Sequence, residues 1–65
     1  MKREELIQFL GKKVKITSVF GNNSEPIFYS GILKQVGEES VTIIDKFNMT
    51  VAISLDSIKK MEEIK

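Results

Sequence analysis

Apolar and polar positions alternate with a period of two from Lys13 onward. Val14, Ile16 and Ser18 interleave with Lys13, Lys15 and Thr17, which predicts a half-buried strand over residues 13–20. Ahead of it the period is that of a helix. Leu6, Phe9 and Leu10 stand at i, i+3 and i+4 within residues 2–10, with Glu4 and Glu5 in the first turn, where negative charge suits the helix dipole. Gly11 supplies a C′ residue able to take positive φ, and Lys12 and Lys13 complement the carbonyl end, so the helix is expected to span 2–11. So short a helix is unstable alone in water, so its apolar stripe must pack as a lid on a sheet.

Behind the first strand the cluster GNNSEP (21–26) predicts a loop, and IFYSGILKQ (27–35) a second strand in which Gly31 marks a bulge, a sharp bend or a close backbone approach. Gly37, Glu38 and Glu39 form a turn, SVTIID (40–45) a third strand, KFN (46–48) a turn, and MTVAIS (49–54) a fourth strand. LDS (55–57) reads as a tight or single 3₁₀ turn. Residues 58–64 carry a mixed signal: Ile58, Met61 and Ile64 fit a helix, and the short strands before them favour a closing strand equally. Short strands at regular intervals predict a mostly β fold, a five-stranded small barrel of the SH3-like or OB-like size class with a short N-terminal helix, because closure removes exposed edges. A plain α+β fold is the alternative if 58–64 is helical.

With 65 residues there is room for one domain and one core, and the apolar gain of so short a chain barely exceeds the conformational cost of ordering it. Extra stabilisation is expected from outside the core. Cysteine and histidine are both absent, which excludes disulfides, Cys-ligated metal sites and the commonest general base, and no cofactor is expected. Oligomerisation is the remaining common device. The second strand points the same way, since Ile27, Tyr29 and Leu33 fall on one face while Phe28 and Ile32 fall on the other, and Ile43 with Ile44 repeats the pattern. A net charge of +1 and 29% charged residues describe an ordinary soluble domain, not a polybasic tail. No membrane-length apolar run or signal-type segment is present, so no membrane partner and a cytoplasmic location are expected.

The segment GILKQVGEESVTII (31–44), with its Gly-x-Leu start, turn and apolar strand, and AISLDSIKKME (52–62), a strand, one-turn connection and closing strand, together with the helix ending at Gly11, resemble the Sm-like family over nearly the whole chain. That resemblance implies an Sm-like barrel, including the bacterial host-factor type, assembled into rings of six or seven by pairing the fourth strand of one subunit with the fifth of its neighbour. It also implies binding of single-stranded RNA without catalysis. Gly37, Glu38 and Val41 stand where the family builds its uridine pocket, and Ser54-Leu55-Asp56 where it presents base-facing cations. Glu38, Glu39 and Asp56 would repel phosphate there, which directs RNA to another surface.

The candidate RNA contacts are Lys12, Lys13 and Lys15 for phosphate, with Phe47 and Asn48 in the turn before the fourth strand. The alternative reading makes the lysines helix-end complements and solubilisers, and the aromatics core or subunit-contact filling. Candidate oligomer contacts are Phe28, Ile32, Met49, Val51, Ile53 and Ile58. The adjacent carboxylate pairs Glu4-Glu5, Glu38-Glu39 and Glu62-Glu63 diverge on either a helix or a strand, so they make no acid/base dyad, and no enzyme is expected. The function reading that competes with RNA binding is an SH3-like protein-interaction or scaffolding module with no nucleic-acid partner.

Overall fold

The computed structural model of the chain describes residues 2–19 and 25–65. They form a helix α1 (Arg3–Ile7) and five strands, β1 (Lys13–Ser18), β2 (Ile27–Val36), β3 (Ser40–Ile44), β4 (Thr50–Ser54) and β5 (Ile58–Glu63), with a single 3₁₀ turn at Leu55–Ser57 before β5. Each neighbouring pair is antiparallel, in the order β4-β3-β2-β1-β5. The sheet is therefore open, with β4 and β5 at its two edges, and the closure expected from the sequence is not made within one chain. The proposed loop tip at Asn22, Asn23 and Ser24, and Phe20 at the end of the expected first strand, lie outside the described residues.

The helix is shorter than its apolar spacing suggests. Beyond Ile7 the backbone bonds tighten to i+3 steps, from Phe9 N–H to the Leu6 carbonyl and from Leu10 N–H to that of Ile7. Gly11, at φ +81°, then reverses the chain. Its N–H donates to the Leu33 carbonyl, and the Leu33 N–H donates to that of Lys12, so the helix end is bonded to β2 before β1 begins. Leu6 is buried beneath this lid and Phe9 is half-buried, whereas Leu10, expected to pack with them, is exposed because the chain has already turned.

Val14, Ile16 and Ser18 are all fully buried, as the two-residue period requires. They join Leu6, Leu33, Val36, Val41, Ile43, Ile53, Leu55, Ile58 and Met61 inside the curve of the sheet. Two irregularities allow that curve: the β2–β3 register skips at Lys34, and the β1–β5 register shifts between Thr17 and Ser18, where Lys59 is the extra residue. Gly31 adds a third device. A Cβ there would lie 2.5 Å from the Ile44 carbonyl oxygen, so β2 and β3 approach at a distance that only glycine permits. Residues 58–63 form a strand, which excludes the helical alternative.

The buried polar groups are paired. Ser57 Oγ donates to the Ser54 carbonyl at 2.8 Å, Ser18 Oγ donates to the Ser57 carbonyl at 3.2 Å, and the two hydroxyl oxygens lie 2.9 Å apart. With the Val19 N–H donating to the Ser57 carbonyl, this pair pins the 3₁₀ turn to the end of β1 and sets where β5 starts.

Candidate functional site

Register carries the outward residues of β1 and β2 into one patch. Lys13 faces Ile32, Lys15 faces Ser30 and Thr17 faces Phe28, while Ile32 faces Ile44 on the far side. Phe28 is 58% exposed and the Lys15 ammonium sits 4.9 Å from its ring centroid, a contact worth about 0.5–1 kcal/mol at an exposed site. Lysine and aromatic thus already form one surface. Of the three lysines singled out from the sequence, Lys13 and Lys15 belong to this face, whereas Lys12 is held by Glu63 at 3.5 Å at the rim of β5.

The β3–β4 turn lies at one end of the patch. Asp45 Oδ1 accepts from the N–H groups of both Phe47 and Met49 at 2.9 Å, and the Asn48 N–H donates to the Asp45 carbonyl. Asn48 has φ +62°, which completes a type I turn with a left-handed residue behind it. Its asparagine is thereby explained by backbone conformation. Phe47 projects from the tip, 73% exposed, with the Lys46 ammonium 5.2 Å from its ring, and Met49 beside it is exposed as well.

The residues expected at an oligomer contact divide. Phe28, Ile32 and Met49 are exposed and Val51 is half-buried, but Ile53 and Ile58 are core residues whose side chains face inward. What β4 and β5 do offer is backbone. Bonds from Asp45 N–H to the Met49 carbonyl and from Leu55 N–H to the Glu39 carbonyl bracket the β3–β4 ladder. Because bonded pairs alternate along an antiparallel ladder, Thr50, Ala52 and Ser54 turn their N–H and C=O groups away from β3. By the same alternation, the Ile64 N–H donating to the Lys13 carbonyl leaves the backbone N–H and C=O groups of Met61 and Glu63 directed away from β1, while the Met61 side chain stays in the core.

Charge is distributed along these edges with a clear polarity. β4 (TVAIS) carries no charged residue at all, which is unusual for an exposed edge. Lys46 precedes it, and its far end lies in a hollow lined by Arg3, Glu38, Glu39, Ser54, Leu55 and Asp56. β5 runs Lys59-Lys60-Met61-Glu62-Glu63, basic first and acidic last.

Sequence reasoning did not anticipate Ser30, Ile44 or Lys46 as neighbours of Lys13, because only the register of β1, β2 and β3 brings them together. The Asp45 turn was legible in principle from Asp and Asn three positions apart. Among the described residues no cluster of acidic side chains has a metal-binding arrangement, and no helix is long and apolar enough to cross a membrane. No family model matches the chain, and neither a curated protein nor a solved structure does.

Proposed function

We propose that this chain is a non-enzymatic, Sm-like subunit that assembles edge to edge into a ring and binds single-stranded RNA on its lysine- and phenylalanine-bearing outer face. One observation carries the assembly: the uncharged β4 edge and the polarised β5 edge are complementary. Laid antiparallel, a neighbour's Lys59 and Lys60 meet the acidic end of β4 at Glu38, Glu39 and Asp56, and its Glu62 and Glu63 meet Lys46. A parallel alignment sets like charges together. The pairing is heterologous, so its repetition generates a ring when the rotation closes. The outward backbone groups of Thr50 and Ala52, with the Ser54 N–H, supply the ladder, and the resemblance of 31–44 and 52–62 to the Sm-like motifs agrees with the choice of strands. The RNA part of the reading is supported by Lys13, Lys15 and Phe28, which offer cations and a stacking surface within one patch.

Native mass spectrometry tests both parts. A species of five to eight subunits is expected, with additional mass that ribonuclease removes. Ala52→Pro deletes one outward N–H without touching the bonds to β3, since proline is tolerated on an edge strand, and should give a folded monomer. A wild-type monomer would sink the assembly reading. A dimer and nothing larger would replace it with symmetric β4–β4 pairing, and a ring that retains no RNA and has no affinity for oligonucleotides at low salt leaves a scaffold in place of an RNA binder.

A further inference from the structure

A pocket of about 240 Å³ opens on the outer face where β1, β2 and the β3–β4 turn meet, lined by Lys13, Ser30, Gly31, Ile32, Ile44, Asp45 and Lys46. It lies in a single subunit, at the opposite end of β3 from the acidic hollow. Its floor is the cross-strand pair Ile32 and Ile44 beside the bare backbone of Gly31, and most of its lining is apolar. The charged groups at its mouth are unequal. Asp45 is the single carboxylate, and one of its oxygens is already committed twice to backbone N–H groups within its own turn. Lys13 and Lys46 have no carboxylate partner among the described residues, whose two ion pairs are Lys12–Glu63 and Lys60–Glu62.

An apolar floor beneath two ammonium groups with no carboxylate partner among the described residues selects a ligand with a flat, weakly polar body and a fixed negative charge. Size narrows the choice, because drug-sized ligands occupy about 300–1,000 Å³, so this pocket holds one ring system and leaves the charge at the rim. We propose that the pocket is a subsite for a single nucleotide, with the base on Ile32, Gly31 and Ile44, the phosphate between Lys13 and Lys46, and Ser30 as a hydrogen-bonding group at its edge. The proposal rests on the nucleic-acid part of the reading above and adds to it the place where one base is held. Every lining residue comes from one chain, and Lys46 is the one that the proposed ring also sets near a neighbour's Glu62 and Glu63.

The test is an amide-resolved NMR titration of the full chain with adenosine and uridine 5′-monophosphates, the matching nucleosides and inorganic phosphate. A nucleotide should shift Gly31, Ile32 and residues 44–46 saturably, with the nucleoside and phosphate each weaker by about tenfold or more, as expected when a charge-assisted contact is lost. Lys13→Glu, at an exposed position outside the proposed edge contact, should weaken nucleotide binding at least tenfold with the rest of the spectrum unchanged. Ser30→Tyr, which fills the pocket from an outward-facing position, should block it independently. Shifts elsewhere, equal affinity for phosphate alone, or indifference to both variants would overturn the proposal. A hexanucleotide that binds far more tightly than the monophosphate while shifting the same amides and those around Phe28 identifies the source as a strand, and equal affinities identify a free nucleotide. Native mass spectrometry keeps the outcomes separate: a wild-type ring that binds no nucleotide refutes the pocket alone, and nucleotide binding by a wild-type monomer refutes the ring alone.

Discussion

At Gly31 and Gly11 the same residue type answers two different demands, and the difference is measurable. Gly31 has an ordinary backbone but no space, since an added Cβ meets the Ile44 carbonyl oxygen at 2.5 Å and the Ile44 carbonyl carbon at 2.9 Å. Gly11 has space but needs φ +81°. Gly31→Ala must therefore push β3 away from β2, and by analogy with overpacked cores it should cost about 2–3 kcal/mol, whereas Gly11→Ala should cost about 1–2 kcal/mol from φ alone. Urea unfolding curves of the two variants check the order; equal losses would mean that β3 yields freely. The glycine in a β-rich run marked the position at Gly31, but the carbonyl it makes room for became visible only once β3 was laid alongside. Asn48 shows the same limit. Its composition suits a recognition loop, and its φ of +62° accounts for it as a turn residue.

Elements show how far a hydrophobic period carries. The alternation in 13–18 identified the inward residues of β1 correctly, because one face of that strand is buried and the other is not. In β5 the burial runs Ile58, Met61 with two exposed residues after each, a spacing that mimics a helix. Its cause is the extra residue Lys59, which shifts the pairing with β1 by one, and no local signal separates that from true helical period. The charge order of β5 yields the prediction at this scale. Lys59→Glu with Lys60→Glu places like charges against Glu38, Glu39 and Asp56 of a neighbour and should dissociate the assembly at low salt, and adding Glu38→Lys and Glu39→Lys should restore it. Sedimentation at two ionic strengths reads both changes. Persistence of the wild-type oligomer in the first variant would remove charge as the cause of orientation.

At the scale of the whole molecule the Cα radius of gyration is 10.9 Å, and eleven hydrophobic residues among those described form the buried core, a small enclosure. Two open edges leave backbone groups that a neighbour could pair, and pairing them links stability to mass action. If subunits fold and assemble together, the midpoint of thermal unfolding should rise by about 5–10 °C for each tenfold increase in protein concentration, given the sensitivity of domains this size. Calorimetry over two decades of concentration measures it. A midpoint independent of concentration would mean that the isolated subunit holds its own fold without help from its edges.

From the sequence alone came the strand periods, the turn residues, the inward set Val14, Ile16 and Ser18, and the absence of cysteine and histidine chemistry. Each is a local property, fixed by side-chain type and spacing of two or three to four residues. Three things were decided by tertiary structure. The sheet stays open because β4 and β5 end on opposite sides of it, Ile53 and Ile58 turn into the core instead of toward a partner, and Lys13, Ile32, Ile44 and Lys46 converge on one pocket. All three depend on register between strands distant in the chain, and a shift of one residue exchanges every side chain between the faces of a sheet.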